Sequence, residues 1–301
     1  MLLSVGEVAA RLGVSSSTVR MWGERYGLTA SARSTGGHRR FTVEDVARLQ
    51  RVHDAVVSGT SPAEAAALVT GIQPTRPRRG GPGGAVLAVP GAGREARGLA
   101  RAASRLDEMS VEDTVLELLG QHGTLAAWNL TLRPVLVAAG EHWQRTGEGI
   151  EVEHMLTQAL TTAFVRHVSA LAEPPRENPV LLAGGPREEH VLALHAVRSA
   201  LAERGVPARL LGPRTPMGAL ATAARRTRAA GALVWLSSPD DVAAQALSEV
   251  ARAHRRLVLL VGGPGWSDLE DGPATTSVSL DDAVDRLELA WHTSASVSAA
   301  R

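Results

Sequence analysis

At 301 residues the chain is long enough for two or three domains, each with its own core. It has no cysteine, which excludes disulfides, thiolate metal sites, cysteine nucleophiles and zinc fingers. No apolar run approaches the ~18 residues of a membrane span, and Met1-Leu2-Leu3-Ser4 lacks a charged and apolar leader, so a cytoplasmic protein is expected. The net charge of +1 hides an asymmetry. Residues 1–79 carry eleven Arg against six acidic residues, whereas residues 80–301 carry twenty-one against twenty-five. The basic amino-terminal part is the candidate for nucleic acid.

Ser4-Val5-Gly6-Glu7 has the Ser-x-x-Glu form of a capping box, with Val8, Ala9 and Leu12 following at helical spacing as far as Gly13. Val14 to Ser17 supplies a second cap, and Thr18 to Tyr26 is predicted as a second helix with Val19 and Trp22 inward and Arg20 and Arg25 outward. Two short helices across a tight turn make a helix-turn-helix candidate. Ala32 to Phe41 places a Gly36-Gly37 tip between basic residues, as a hairpin wing would. Thr42-Val43-Glu44-Asp45 then caps a third helix through Val56, with Val46, Leu49, Val52 and Val56 on its buried face.

This run of about seventy residues resembles the winged-helix DNA-binding domain of MerR-type regulators. In that setting Thr18, Arg20 and Arg25 are candidates for the major groove, and Arg33, His38, Arg39 and Arg40 for the DNA backbone. For each arginine taken singly, a solvated surface charge is an equally good reading. Residues 71–94, rich in Pro, Gly and Arg, have linker composition.

Helical patterning then fills the chain over 95–107, 110–122, 125–143 and 151–172, which implies a small four-helix bundle over 95–175, with a kink at Pro134. Trp128 is expected in its core. From 176 onward, strands at 180–183, 208–211, 233–237 and 257–261 alternate with helices at 189–204, 216–230, 240–254 and 280–291. The fold class expected is therefore multidomain α and α/β: a winged helix-turn-helix, a four-helix bundle, then a doubly wound, Rossmann-like parallel sheet. No Gly-x-Gly-x-x-Gly follows the first strand, so a dinucleotide cradle is missing.

Two stretches stand out. Trp143 to His154 closes one helix, breaks at 146–149 and opens the next with Glu153-His154. Glu188-Glu189-His190 follows the first strand, at the carboxyl edge where open α/β sheets bind ligands. The residues alone say only that a flat or bulky ligand could be held between a helical and an α/β module. A four-helix module with Trp-x9-Glu-His, followed by an α/β domain with Glu-x-His after its first strand, resembles the cobalamin-binding unit of the CarH and LitR light-dependent repressors.

That resemblance implies adenosylcobalamin as cofactor, His190 as the lower axial ligand of cobalt and Glu188 as the group orienting its second nitrogen. It implies Trp143, Ile150, Glu153 and His154 at the upper face, and Ser237, Ser238, Gly262 and Gly263 along the nucleotide tail. It also implies a non-enzymatic repressor that binds operator DNA as a tetramer in the dark and falls to a smaller oligomer in light. His195 is read as structural. Two positions depart from the family pattern: Ala193 replaces a glycine, and Gln144 replaces the histidine that takes over cobalt after photolysis, a role left to His142, His154 or water. The alternatives are a regulator of the same architecture sensing another ligand, such as a tetrapyrrole, or none, and a cobalamin-dependent enzyme subunit. Against the latter stands the absence of roughly 250 residues for a catalytic barrel.

Overall fold

The computed structural model describes residues 2–12, 14, 16–33, 39–57, 62–70, 87, 89, 93–266 and 274–299. The chain forms two compact units, residues 1–85 with 139–150, and residues 86–138 with 151–301. Among the described residues no helix is long and apolar enough to cross a membrane.

In the first unit, α1 (Val5–Leu12) opens on a reciprocal cap: Ser4 N–H donates to Glu7 Oε2 at 2.6 Å and Glu7 N–H to Ser4 Oγ at 3.3 Å. α2 spans Ser16–Tyr26, two residues longer at its start than the pattern predicts. β1 (Ala32–Arg33) and β2 (Arg39–Arg40) pair antiparallel as the wing's base; the expected tip, with His38, lies outside the described residues. α3 (Val43–Val57) is capped in the same way as α1, with Thr42 N–H donating to Asp45 Oδ2 at 2.8 Å and Asp45 N–H to Thr42 Oγ1 at 3.2 Å. Val8, Leu12, Val19, Trp22, Phe41, Val46, Leu49 and Val52 form one buried core. The pattern gives no sign of α4 (Pro62–Thr70), whose Ala65 and Ala66 close that core; Pro62 occupies the first helical position, where a missing N–H costs nothing.

The second unit begins with α5 (Arg94–Ser104) and α6 (Glu108–Ala127). α6 breaks at Gly123, whose φ of 75° belongs to glycine. The helical path then widens into a π turn over Trp128–Leu132 before α7 (Arg133–Thr146). Pro134 has no N–H for the usual ladder, and Arg133 N–H bonds Trp128 O instead, so the expected kink takes the form of this π turn. α8 (Ile150–Ala170) buries Leu156, Leu160 and Phe164. Trp128 is 9% exposed, its ring centroid 6.4 Å from that of Phe164, in the core role expected of it.

The α/β part contains β3 (Val180–Gly184), α9 (Leu192–Glu203), β4 (Ala208–Gly212), α10 (Met217–Thr227), β5 (Gly231–Trp235), α11 (Asp241–Ala253), β6 (Val258–Gly262), β7 (Thr275–Thr276) and α12 (Leu280–Ala299). The sheet order is β4-β3-β5-β6-β7, parallel throughout. The two-residue edge strand β7 was not legible as a strand. β3 is buried on both faces, as a central strand of a parallel sheet must be, whereas edge strand β4 is half-exposed. On one face Leu181, Ala183, Val234 and Val261 pack under Leu220 of α10 and Leu247 of α11. On the other, Val180, Leu182, Leu233 and Leu260 meet Leu194 and Leu201 of α9 and Leu287 of α12. The strand order reverses between β3 and β5, and the crevice at their carboxyl ends is where such sheets take ligands.

The helical part is tied to this sheet domain by polar contacts as well as packing. Thr124 N–H, one residue past the Gly123 break, donates to Glu203 Oε1 at 2.9 Å. Its hydroxyl donates to the same oxygen at 2.6 Å and meets Ser199 Oγ at 2.6 Å, and His167 of α8 lies 2.9 Å from Glu203. Asn129 donates to Asp281 at 2.9 Å.

Candidate cofactor site

The segment after β3 does not enter the helix at once. α9 starts at Leu192 and not at Glu189 as the pattern predicts, because Glu188 turns back and Oε1 accepts the main-chain N–H of His190 at 2.6 Å. Oε1 also lies 3.2 Å from His190 Nδ1, and Oε2 accepts the main-chain N–H of Ser237, which follows β5. Glu188 is 4% exposed, so this carboxylate is buried and saturated with donors. It ties the end of β3 to the end of β5 across the switch point. From the β4–α10 loop, Arg214 N–H donates to Glu188 O at 2.8 Å, Thr215 N–H to Gly184 O at 3.1 Å, and the Arg214 side chain pairs with Glu189 at 3.2 Å.

His190 is fixed at one nitrogen and open at the other. Its side chain is 75% exposed while Nδ1 faces the carboxylate, so Nε2 faces outward with a lone pair in the neutral ring. The hydrogen bond to Glu188 raises the His190 pKa; burial opposes this, and the charges of Glu188, Glu153 and Glu189 add to it. Burial pushes the Glu188 pKa up, but its bonds with His190 and Ser237 outweigh this and hold it below the usual value. By contrast His195 is half-buried and its pKa is depressed by burial and by Arg198, the environment of a structural histidine.

Ser237 holds, through its main-chain N–H, the carboxylate that positions His190. Pairing between residues 49 positions apart leaves no local signal. Ser238 is half-buried and Gly262 closes β6. Gly263 has φ 100°, and a Cβ there would sit 2.1 Å from Leu236 O, so only glycine lets this turn close on the backbone after β5.

The remaining predicted residues lie on α7 and α8. Trp143 is half-buried near the end of α7, and its carbonyl accepts Gly147 N–H at 2.7 Å. Gln144 is exposed. His142 accepts Thr146 Oγ1–H at its carbonyl at 2.8 Å, and its Nδ1 lies 3.1 Å from Arg145. Ile150 and His154 are exposed and Glu153 half-buried at the start of α8. In the DNA-binding unit, Arg20 is exposed on α2, Thr18 is half-buried there, and Arg40 is half-exposed, 3.9 Å from Glu7. Arg25, Arg33 and Arg39 have described backbones only, on α2, β1 and β2.

Among the described residues no group of three or more His, Asp or Glu could enclose a bare metal ion. A single imidazole, aimed by a buried carboxylate, suits a metal that brings its other ligands with it, as in a corrin or another macrocycle.

Residues 3–72 match the MerR HTH family of regulatory proteins and residues 95–166 the B12 binding domain. Over 211 residues the chain is 31% identical to the HTH-type transcriptional repressor CarH of Myxococcus xanthus, covering 69% of this chain and 70% of that one. The chain belongs to the CarH-like family of MerR regulators. Over 69 residues the chain is also 32% identical to the HTH-type transcriptional regulator MlrA of Salmonella typhimurium, which is 23% of this chain and 28% of that one. The monomethylamine corrinoid protein of Methanosarcina barkeri shares the fold, with a TM-score of 0.50 and 15% identity over 64% of this chain and 96% of that one. This member of the CarH-like family is thus a transcriptional regulator with a B12-binding domain, and not an enzyme.

Proposed function

We propose that the protein is a light-responsive repressor that holds adenosylcobalamin in the dark, binds operator DNA as a tetramer in the cytoplasm, and releases it on illumination. The observation that carries this reading is the outward Nε2 of His190, aimed by Glu188 and Ser237 at the switch point of the sheet. The domains are assigned as 1–70 for DNA binding, 71–94 as linker, 95–175 as the bundle covering the upper face, and 176–301 as the cobalamin-binding sheet domain.

When bound, the cofactor supplies a cobalt–carbon bond that light breaks. His190 would hold the metal through Nε2, with Glu188 keeping the ring proton on Nδ1. Trp143, Ile150, Glu153 and His154 are assigned to the upper face, where they exclude water and hold the adenosyl group. Ser237, Ser238, Gly262 and Gly263 are assigned to the nucleotide tail. With the adenosyl group gone, these upper-face residues would lose a packing partner, and bundle packing, oligomer and DNA grip would weaken together. The switch is steep because linked DNA heads lose their mutual effective concentration when the oligomer falls apart.

The second reading, another macrocycle in the same place, is favoured by Ala193 and Gln144, the two departures from the family pattern. An absorption spectrum of protein mixed with adenosylcobalamin in the dark and gel-filtered, before and after green illumination, separates the two. Retained bands that shift with light, together with a later elution, are expected; a colourless protein eluting unchanged overturns the proposal. His190→Ala is expected to abolish cofactor-dependent DNA binding.

A further inference from the structure

The sheet has a second concave feature at its opposite end. A cavity of about 670 Å³ lies at the amino ends of β3, β5 and β6, far along the strands from His190. Arg225 and Arg228 enter it from the end of α10, His254, Arg255 and Arg256 from the turn after α11, and Asn178 from the turn before β3. No carboxylate lines it. This basic cluster is set in the part of the chain that carries excess acid, residues 80–301.

Some arginines of the same unit pair with carboxylates, Arg166 with Glu112, Arg204 with Asp285 and Glu288, Arg214 with Glu189 and Arg286 with Asp282, while others, such as Arg133 and Arg209, have no ion pair among the described residues. Arg225, Arg228, Arg255 and Arg256 have no ion-pair partner among the described residues. Basic side chains at helix carboxyl ends are stabilised by the helix dipole, which accounts for one charge on each helix. It does not account for four exposed arginines around the rim of one concavity, an arrangement that favours an anion.

The backbone adds an independent mark. Arg228 ends α10 with φ 52°, at the left-handed position usually given to glycine, and Asn178 has φ 47°. Of the two, Asn178 is of a type that tolerates this region, whereas Arg228 holds it at a cost as the cap of α10. Beside it, sharing Arg256 and Ser294, lies a trough of about 720 Å³ walled by Val258, Leu260, Leu289 and Ala290. Leu289 is 67% exposed there.

We propose that this end of the sheet binds an organic phosphate, its phosphate groups held by Arg225, Arg228, Arg255 and Arg256 and its organic body lying in the apolar trough. Both volumes are those of small-molecule sites. Duplex DNA would call for a basic stripe on an open surface and not a concavity with an apolar annex.

The test is calorimetric titration of the full-length protein with inorganic pyrophosphate and with ATP. The Arg228→Gly/Arg255→Ala double variant serves as control. Arg228→Gly also relieves the left-handed backbone, so the melting temperature is expected to hold or rise while phosphate binding falls at least about tenfold. ATP is expected to bind more tightly than pyrophosphate, and Leu289→Asp to erase that difference. Absence of saturable binding, or equal affinity in the double variant, overturns the proposal. So does a variant that loses affinity for non-operator duplex while the parent protein takes up no pyrophosphate, which would give the arginines to DNA.

Discussion

Glu188 Oε1 faces two groups of the same residue, the main-chain N–H of His190 at 2.6 Å and its ring Nδ1 at 3.2 Å. The carboxylate thus sets both where the imidazole stands and which nitrogen it offers. Glu188→Gln keeps the shape but can present an N–H to Nδ1 and favour the other tautomer. Cobalamin affinity is expected to fall roughly 10–100-fold, the usual cost of losing the group behind a metal-ligating histidine. Equilibrium dialysis against adenosylcobalamin in the dark, with far-UV circular dichroism unchanged, checks it; unaltered affinity would remove Glu188 from this role.

Much of this architecture is legible in the sequence because its signals are local. Ser4 and Glu7 announce their reciprocal cap three residues apart, and the four apolar strands are spaced by helical runs. Elements without such contrast were missed. α4 is built on Ala65 and Ala66, whose small side chains give little amphipathic pattern, and Thr275–Thr276 is too short to alternate. The sequence places Glu188 and His190 together, whereas the grip of Ser237 on Glu188 depends on two parallel strands ending side by side.

Asp45 makes the DNA-binding unit sensitive to acid. Its side chain is 1% exposed and accepts from Ser31 N–H, Ser31 Oγ–H and Thr42 N–H at 2.9, 2.7 and 2.8 Å, with Arg48 alongside. Burial alone would raise its pKa, but these donors hold it far below the usual carboxylate range. A depressed folded-state pKa means stability that is present above the unfolded value of about 3.9 and drains away as pH falls below it. Hydrogen exchange of the α3 amides is expected to accelerate as pH drops from about 4, beyond the intrinsic pH dependence. Asp45→Asn should flatten that acid loss and cost about 1–3 kcal/mol at neutral pH, since a carboxamide cannot accept from all these donors.

Glu203 holds the kinked helix of the bundle against α9. Removing it leaves Thr124 N–H, in a residue that is fully buried, without its acceptor, and strips His167 of its partner. Glu203→Ala is expected to destabilise by about 1–3 kcal/mol through that unsatisfied donor. Thermal melting checks it, and Glu203→Gln, which keeps an acceptor, should recover part of the loss. An unshifted melting temperature in the alanine variant would mean that apolar packing alone, with Leu125 against the cluster of Leu194 and Leu201, sets this junction.

The winged-helix unit offers two kinds of arginine to DNA. Arg40 sits at the base of the wing, beside Glu7, where a phosphate contact carries no sequence information. Arg40→Ala is therefore expected to weaken operator and random duplex alike and to lower the slope of log affinity against log salt by about 0.9. Arg20 projects from α2, the helix that a winged helix-turn-helix lays in the major groove. If Arg20 grips a base edge, Arg20→Ala costs the operator about 1–3 kcal/mol while random duplex loses much less. Fluorescence anisotropy with both duplexes across a salt series separates the roles. Equal losses on the two duplexes for Arg20→Ala would make it a backbone contact, and sequence reading would then pass to Thr18 and the rest of α2.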